Sequence, residues 1–128
     1  MSRIVLILLI PLLFSACATE KKVVTQPKAL KVYNYQNKIL ISGFPSKGGL
    51  EGVLKHQKVT AIVDIRSEEE LKNSPYSPKE LAKNHDVNFY NIPYIRNSQI
   101  SQKAVEKIAA IVEVHKESQV LVYCASGN

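Results

Sequence analysis

Cys124, near the carboxyl end of the chain, carries the clearest chemical signal in the sequence because it directly follows the apolar run 120–123. The small or polar residues after it are Ala125, Ser126, Gly127 and Asn128. An apolar run that stops abruptly at such residues is typical of a buried parallel strand that ends in a tight loop. Inward-pointing N–H groups in the loop can bind an oxyanion and favour the thiolate form of the cysteine. The pattern predicts a nucleophilic thiol beside an anion cradle, with a buried structural cysteine as the alternative.

Two charged residues follow another apolar run in the middle of the chain. Residues 59–65 are mostly β-branched or apolar, which predicts a central parallel strand, and Asp64 and Arg66 lie at its carboxyl end. Open α/β sheets bind their ligands at the carboxyl ends of their strands. Asp64 and Arg66 are therefore predicted to lie at the ligand-binding edge of the sheet.

Short strands and helices are predicted to position these residues. The predicted strands cover residues 31–35, 39–42, 59–65, 87–92 and 120–123. The predicted helices begin after Ser46, Ser77 and Ser101, each of which can serve as an N-cap. Strands that alternate with helices at this spacing predict an α/β fold with a central, mainly parallel sheet flanked by helices.

The predicted helices differ in length and in the strength of their signals. The acidic stretch 68–70 and the prolines at 75 and 78 predict a surface loop. A short helix then begins with the capping box from Ser77 to Glu80 and runs to about Asn84. The longer helix after Ser101 is predicted to bury one stripe and to end before residue 119. That stripe comprises Val105, Ile108, Ile111, Val112 and His115.

The first 30 residues predict export of the protein. A short positive start and the apolar core 4–14 are typical of a signal peptide and too short for a permanent transmembrane helix. Residues 14–17, Phe-Ser-Ala-Cys, resemble the lipobox of bacterial lipoproteins, which implies lipidation of Cys17 and a place in the cell envelope, at the outer membrane and facing the periplasm. Residues 1–16 are then the signal peptide, 17–30 a lipidated start and polar tether, and 31–128 the folded domain. The alternative is ordinary signal cleavage with Cys17 as a plain thiol.

Charge and motif content narrow the classes of ligand. The chain has 17 basic and 11 acidic residues, a net charge of +6, which is compatible with an anionic ligand or a membrane surface. The lysines are scattered and the sequence contains no nucleic-acid-binding signature, so nucleic acid is not predicted as a partner. No metal-ligand spacing surrounds His115, which is predicted to be a structural residue at a helix end. The sequence also lacks a dinucleotide fingerprint, and no cofactor is predicted.

Several segments, taken together, resemble a known family. These segments are residues 41–46 (Ile-Ser-Gly-Phe-Pro-Ser), 61–66 (Ala-Ile-Val-Asp-Ile-Arg), 91–93 (Asn-Ile-Pro) and 120–127. In this order they are similar to the beta-lactamase-hydrolase-like phosphatase domain family, which has the fold of the cysteine-dependent phosphatases. The resemblance covers about residues 31–128. A helix normally follows the phosphate loop of this fold, so we expect one beyond Asn128 and a domain that is incomplete at its carboxyl end.

The resemblance implies a cysteinyl-phosphate mechanism on a phosphorylated protein or small molecule. Cys124 would attack phosphorus as a thiolate, and the N–H groups of residues 125–128 would hold the non-bridging oxygens. An arginine beyond Asn128 would stabilise the charge of the transition state.

The sequence departs from the family pattern in two places. Related phosphatases commonly have histidine before the nucleophile, where this chain has Tyr123. Their acid loop usually supplies an aspartate, whereas residues 94–98 contain no acidic residue. Asp64 is therefore the candidate general acid, since Asp86 precedes a strand and is predicted to lie at the opposite edge of the sheet.

Two other functions remain open from the sequence. Asp64, Ile65 and Arg66, with Glu70 and Leu71 further on, resemble the strand motif of rhodanese-type sulfurtransferases, whose chemistry needs no phosphatase-type general acid. The second alternative is a non-catalytic anion-binding domain of the cell envelope, because neither a loop acid nor a loop arginine is evident in the sequence.

Overall fold

A mainly parallel sheet forms the centre of the protein. The structure is a computed structural model that describes residues 30–93 and 101–125. Its strands are β1 Val32–Tyr35, β2 Ile39–Gly43, β3 Val59–Asp64, β4 Asn88–Asn91 and β5 Gln119–Cys124. Their spatial order is β1-β2-β5-β3-β4, in which the edge strand β1 is antiparallel and the other strands are mutually parallel. The predicted α/β class is confirmed.

Helices flank this sheet, and each begins at a serine. The described helices are α1 Lys47–His56, α2 Glu68–Lys72, α3 Pro78–Asn84 and α4 Gln102–Val114. The capping serines, whose side chains accept a hydrogen bond from the backbone N–H three residues later, are Ser46, Ser67, Ser77 and Ser101. Such a cap satisfies a backbone donor that the helix leaves unpaired, so the caps predicted at three of these serines fix where the helices begin.

The two faces of the sheet bury separate apolar layers. On one face, Leu40, Leu121 and Ile62 lie side by side on β2, β5 and β3 and pack into a cluster with residues of α1 and α3. On the opposite face, Val120 and Ala61 pack with residues of α4. Full burial of a large aliphatic side chain contributes about 1.5–3 kcal/mol. These two layers therefore hold the strand ends, and the residues on them, in fixed relative positions.

The acidic stretch after β3 is a helix, and the predicted surface loop at residues 68–70 is wrong. Ser67 and Glu70 form a reciprocal capping box, in which the Glu70 carboxylate accepts a hydrogen bond of 2.8 Å from the Ser67 backbone N–H. The same four-residue signature predicts α3 at Ser77. Acidic residues in a first turn also interact favourably with the helix dipole. The signal for α2 was thus present in the sequence.

The buried stripe of α4 begins one residue earlier than predicted. Val105 is 46% exposed, whereas Ala104 is buried. Ile108, Ile111 and Val112 pack against the sheet as the 3.6-residue period requires. The stripe therefore runs from the buried Ala104 to the partly buried Ile108, four residues later.

Several predictions concern residues outside the described ranges. These are the signal peptide at 1–16, Cys17, most of the tether up to residue 29, the loop from Tyr94 to Ile100, and Ser126, Gly127 and Asn128. Among the residues that the structure does describe, no helix is both long enough and apolar enough to cross a membrane.

Candidate active site

The carboxyl ends of the parallel strands meet at one edge of the sheet, as the sequence predicts. Cys124, at the end of β5, is in register with Gly43 of β2, and its neighbour Tyr123 is in register with Asp64 of β3. Asp64 is in turn in register with Asn91 of β4. Cys124 is partly exposed and, within the part of the chain that the structure describes, forms no disulfide bond. The thiol, the carboxylate and the strand ends therefore occupy one edge, where α/β folds place their ligand sites.

Asp64 and Arg66 form a buried, multiply hydrogen-bonded ion pair. Arg66 Nη2 donates to Asp64 Oδ2 at 2.7 Å, and Arg66 Nε and its backbone N–H both donate to Asp64 Oδ1 at 3.0 Å. Asp64 is 0% exposed and Arg66 only 3%. Burial lowers the pKa of Arg66, but the hydrogen bonds and charge of Asp64 outweigh it, so the net pKa is raised. Arg66 therefore stays cationic, with its charge balanced locally.

Asn91 holds the backbone around this ion pair. Its side-chain amide donates to the carbonyl oxygen of Asp64 at 2.9 Å and to that of Arg66 at 3.0 Å. The backbone N–H of Ile65 also donates to the carbonyl oxygen of Tyr123 at 3.1 Å. Sequence reasoning treated Asn91 only as the end of a strand. Its polar type at a strand end, in register with a charged residue, is the signal that could have identified it.

Aromatic rings enclose the guanidinium group of Arg66. Its central carbon lies 3.7 Å from the ring centroid of Phe44 and 5.7 Å from that of Tyr123, within the range of cation–π attraction. The ring of Tyr76 stacks on Phe44 with 5.3 Å between centroids, and its hydroxyl donates to the carbonyl oxygen of Pro45 at 2.8 Å. Phe44, the residue after β2, therefore contacts Arg66 in the segment after β3 and Tyr123 on β5, the strand that carries Cys124.

Tyr123, which precedes the cysteine, is a packing residue. Its side chain is buried, and its hydroxyl makes no well-formed hydrogen bond to any residue within the described ranges. Burial and then the charge of Asp64 raise the pKa of the Tyr123 hydroxyl above its ordinary value. The hydroxyl therefore stays protonated around neutral pH, and it supplies no charge to the neighbouring thiol.

The geometry argues against Asp64 as the general acid. Both carboxylate oxygens accept hydrogen bonds from Arg66, and the side chain has no exposed surface. Side chains alternate along a strand, so Asp64 lies on the face of Tyr123, whereas Cys124 continues the opposite face. The structure therefore gives Asp64 a role in holding Arg66 and not the predicted role in proton transfer.

A cavity of about 330 Å³ opens beside the loop that Cys124 begins. Its residues come from the ends of β2 and β5 and from the segment after β3. They are Phe44, Arg66, Glu69, Glu70, Asn73, Ser74, Pro75 and Ala125. The volume falls within the range of small-molecule sites, and the lining combines apolar surface with a few polar groups. Among the described residues, no group of three or more acidic, histidine or cysteine side chains is placed to hold a metal ion.

Comparison with known proteins relates this fold to that of phosphatases. A candidate phosphatase of the DUF442 group from Shewanella putrefaciens CN-32 superposes with a TM-score of 0.61 at 19% identity, over 77% of this chain and 62% of that one. Tk-PTP gives a TM-score of 0.61 at 21% identity, over 77% and 62%. The chain has a phosphatase-like fold. The core catalytic domain of the PP-IP phosphatase SIW14 from S. cerevisiae gives 0.57 at 19% identity, over 79% and 58%.

The similarity to these phosphatases lies in the structure, with low sequence identity. No protein-family model and no curated protein sequence matches the chain. Sequence identity near 20% establishes the phosphatase-like fold alone, and the chain spans 62% of the length of the first of these structures. Neither the sulfurtransferase nor the non-catalytic alternative is supported by the proteins named here. The conclusions about chemistry therefore depend on the residues of the site itself.

The buried Tyr123 and the partly buried Tyr76, both near the ion pair, should make the fold sensitive to alkali. Burial raises the pKa of Tyr76 to about 12; the charge of Arg66 lowers this pKa and that of Asp64 raises it. The pKa of Tyr123 is also raised, mainly by burial. Both exceed the unfolded value of about 10. Their contribution to stability is therefore complete below pH about 10 and is lost as the pH rises through about 12. We expect tyrosinate absorbance to appear for these residues only together with loss of the circular dichroism signal.

Tyr76→Phe tests this expectation. Removing the hydrogen bond to Pro45 should lower the free energy of unfolding by about 1 kcal/mol at neutral pH and make its decline between pH 10 and 12 shallower. Tyr33→Phe, which removes a hydroxyl from the exposed face of β1, is the matched control. An unchanged alkaline decline in the Tyr76 variant would contradict the assignment.

Proposed function

We propose that the protein is a cysteine-dependent phosphatase that hydrolyses phosphate monoesters through a cysteinyl-phosphate intermediate. The observation that carries this proposal is the position of Cys124, a partly exposed thiol at the carboxyl end of β5 in a phosphatase-like fold. Ala125, the first residue of the loop after it, lines a cavity large enough for the leaving group of a small ester.

Each step of the proposed reaction uses a group of this site. The Cys124 thiolate attacks phosphorus, the bond from phosphorus to the leaving oxygen breaks, and that oxygen takes up a proton. Water then attacks the phosphorus of the cysteinyl phosphate, the P–S bond breaks, and the thiolate and inorganic phosphate are released. The N–H groups of residues 125–128 are proposed to bind the phosphate oxygens in both steps. Preorganised amides act without the reorganisation that water would require.

We propose that the ion pair of Asp64 and Arg66 holds the wall of the cavity in a fixed position. Arg66 lines the cavity, but its hydrogen bonds with Asp64 and Ser74 hold it in the cavity wall. Asn91 fixes the backbone of both residues. A fixed cavity wall would keep Arg66 and Ala125 at a constant separation. The positioning of reacting atoms requires such a constant geometry.

The substrate class is a phosphorylated protein or a phosphorylated small molecule. The name of SIW14 specifies a PP-IP phosphatase, whereas the name Tk-PTP does not specify that substrate. The phosphatase-like fold therefore does not by itself define the substrate. The cavity lining of Phe44, Pro75 and Ala125 supports an apolar or aromatic leaving group.

Alkylation of Cys124 tests whether the thiol and the anion cradle belong to one site. In the full-length protein we expect iodoacetamide to modify Cys124 at neutral pH, and phosphate or vanadate to slow that reaction about tenfold or more at saturation. The reason is that an oxyanion in the loop occupies the space in front of sulfur. Peptide mass spectrometry separates Cys124 from Cys17, and chloride at the same ionic strength is the control. Equal rates in phosphate and chloride would contradict the proposal.

We further propose that the protein acts at the cell envelope, anchored by a lipid on Cys17 and facing the periplasm at the outer membrane. The lipobox-like residues 14–17 and the polar stretch after them support this location. Mass spectrometry of protein extracted from membranes decides it, since an unmodified Cys17 would contradict lipid anchoring.

A further inference from the structure

The proposed reaction needs a proton donor for its leaving group, and the chain offers few acids near the site. The cavity beside Ala125 is lined by two carboxylates, Glu69 and Glu70. Asp64 lies at the same edge but is buried in its ion pair with Arg66. In the sequence, residues 94–100 and 126–128 contain no aspartate or glutamate, so they offer no further carboxyl group.

The two carboxylates in the cavity differ in their surroundings. Glu70 accepts hydrogen bonds from the backbone N–H of Ser67 at 2.8 Å and from its hydroxyl at 3.0 Å, so it completes the cap of α2. Glu69 is exposed, and within the described ranges its carboxylate makes no hydrogen bond or ion pair. A carboxyl group that donates a proton to a substrate must be accessible and not committed to a structural partner.

We propose that Glu69 is the general acid of this phosphatase, an inference that rests on the proposed function of Cys124. When the Cys124 thiolate attacks, the electron pair of the breaking P–O bond passes to the leaving oxygen, which takes the proton of the Glu69 carboxyl group. The resulting Glu69 carboxylate then accepts a proton from the water that attacks the cysteinyl phosphate, and this restores the acid. The residue lies on α2, directly after the strand that bears Asp64.

Leaving-group dependence in the full-length protein tests the assignment. We expect Glu69→Gln to lower kcat/KM by about 10²-fold or more for phenyl phosphate, whose leaving oxygen needs a proton, and by less than about threefold for an activated dinitrophenyl phosphate. The ratio kcat/KM reports formation of the cysteinyl phosphate and does not include the later step in which Glu69 acts as a base. Glu68→Gln is the matched control, because Glu68 has the same charge on the same helical turn but does not line the cavity. Both variants weaken the helix dipole equally, so a loss in the Glu69 variant alone reports chemistry. Glu69→Asp should recover part of the rate for phenyl phosphate.

The outcomes separate this inference from the proposed function. Loss of activity in Cys124→Ser, together with equal leaving-group dependence in the wild type and Glu69→Gln, would overturn Glu69 as the acid and leave the phosphatase intact. Activity that persists in Cys124→Ser would overturn the proposed function itself. An equal loss in the Glu68 and Glu69 variants would also overturn the assignment, since it would indicate a general effect on α2.

Discussion

Asp64→Asn should lower the free energy of unfolding by about 3–5 kcal/mol, because it leaves the buried cation of Arg66 without its counter-charge. Asp64 is 0% exposed and accepts hydrogen bonds from Arg66 Nε, Arg66 Nη2 and the Arg66 backbone. Removal of one partner from a buried ion pair costs far more than the pair itself contributes. Typical domains have only about 5–15 kcal/mol of net stability, so much of the folded population would be lost near ambient temperature.

Urea unfolding of single and double variants measures this effect. Arg66→Met should be similarly destabilising, whereas the double variant Asp64→Asn/Arg66→Met should cost clearly less than the sum of the two. The matched control is Glu113→Gln, which breaks a surface pair with Lys116 at 3.9 Å, whose side chains are 78% and 59% exposed. That change should stay within about 0.5 kcal/mol. Equal costs for the buried and surface pairs would contradict the structural role of Asp64.

Cys124→Ser should lower kcat for aryl phosphate hydrolysis by about 10⁴-fold or more in the full-length protein, in line with loss of a covalent nucleophile. A serine hydroxyl is a much weaker acid than a thiol, so it stays protonated near neutral pH and is a poor nucleophile there. The substitution changes one atom on a partly exposed side chain, so stability should change by less than about 1 kcal/mol. Residual activity within tenfold of the wild type would exclude Cys124 as the nucleophile.

The positions of the key residues along the chain could be predicted because they depend on local patterns. The apolar runs before Cys124 and Asp64 predict parallel strands, and parallel strands must end at one edge of their sheet. The capping serines are equally local signals, and they also mark the helices between those strands. The sheet edge that holds the thiol therefore followed from sequence alone.

The environment of each side chain at that edge could not be predicted, because it depends on contacts between distant segments. Phe44 and Tyr123 lie near the guanidinium of Arg66 from different elements, and Asn91 contacts the Arg66 backbone from a third. No local pattern predicts that both carboxylate oxygens of Asp64 accept hydrogen bonds from Arg66. The direction in which Glu69 faces depends on α2, and the sequence analysis predicts a surface loop where the capping box forms this helix.

Capture of the covalent intermediate is the most direct test of the account. The full-length protein would be mixed with an aryl phosphate and quenched in acid within the first turnovers. After digestion, mass spectrometry would measure the mass of the peptide that contains Cys124. We expect that peptide to carry the mass of one phosphoryl group on the cysteine sulfur. With an activated aryl phosphate the modification should reach a higher level in Glu69→Gln, because that variant lacks the proposed base for breakdown of the intermediate. Hydrolysis of the substrate with phosphate found on another residue, or with no phosphoryl group on Cys124 at any quench time, would contradict the cysteinyl-phosphate mechanism.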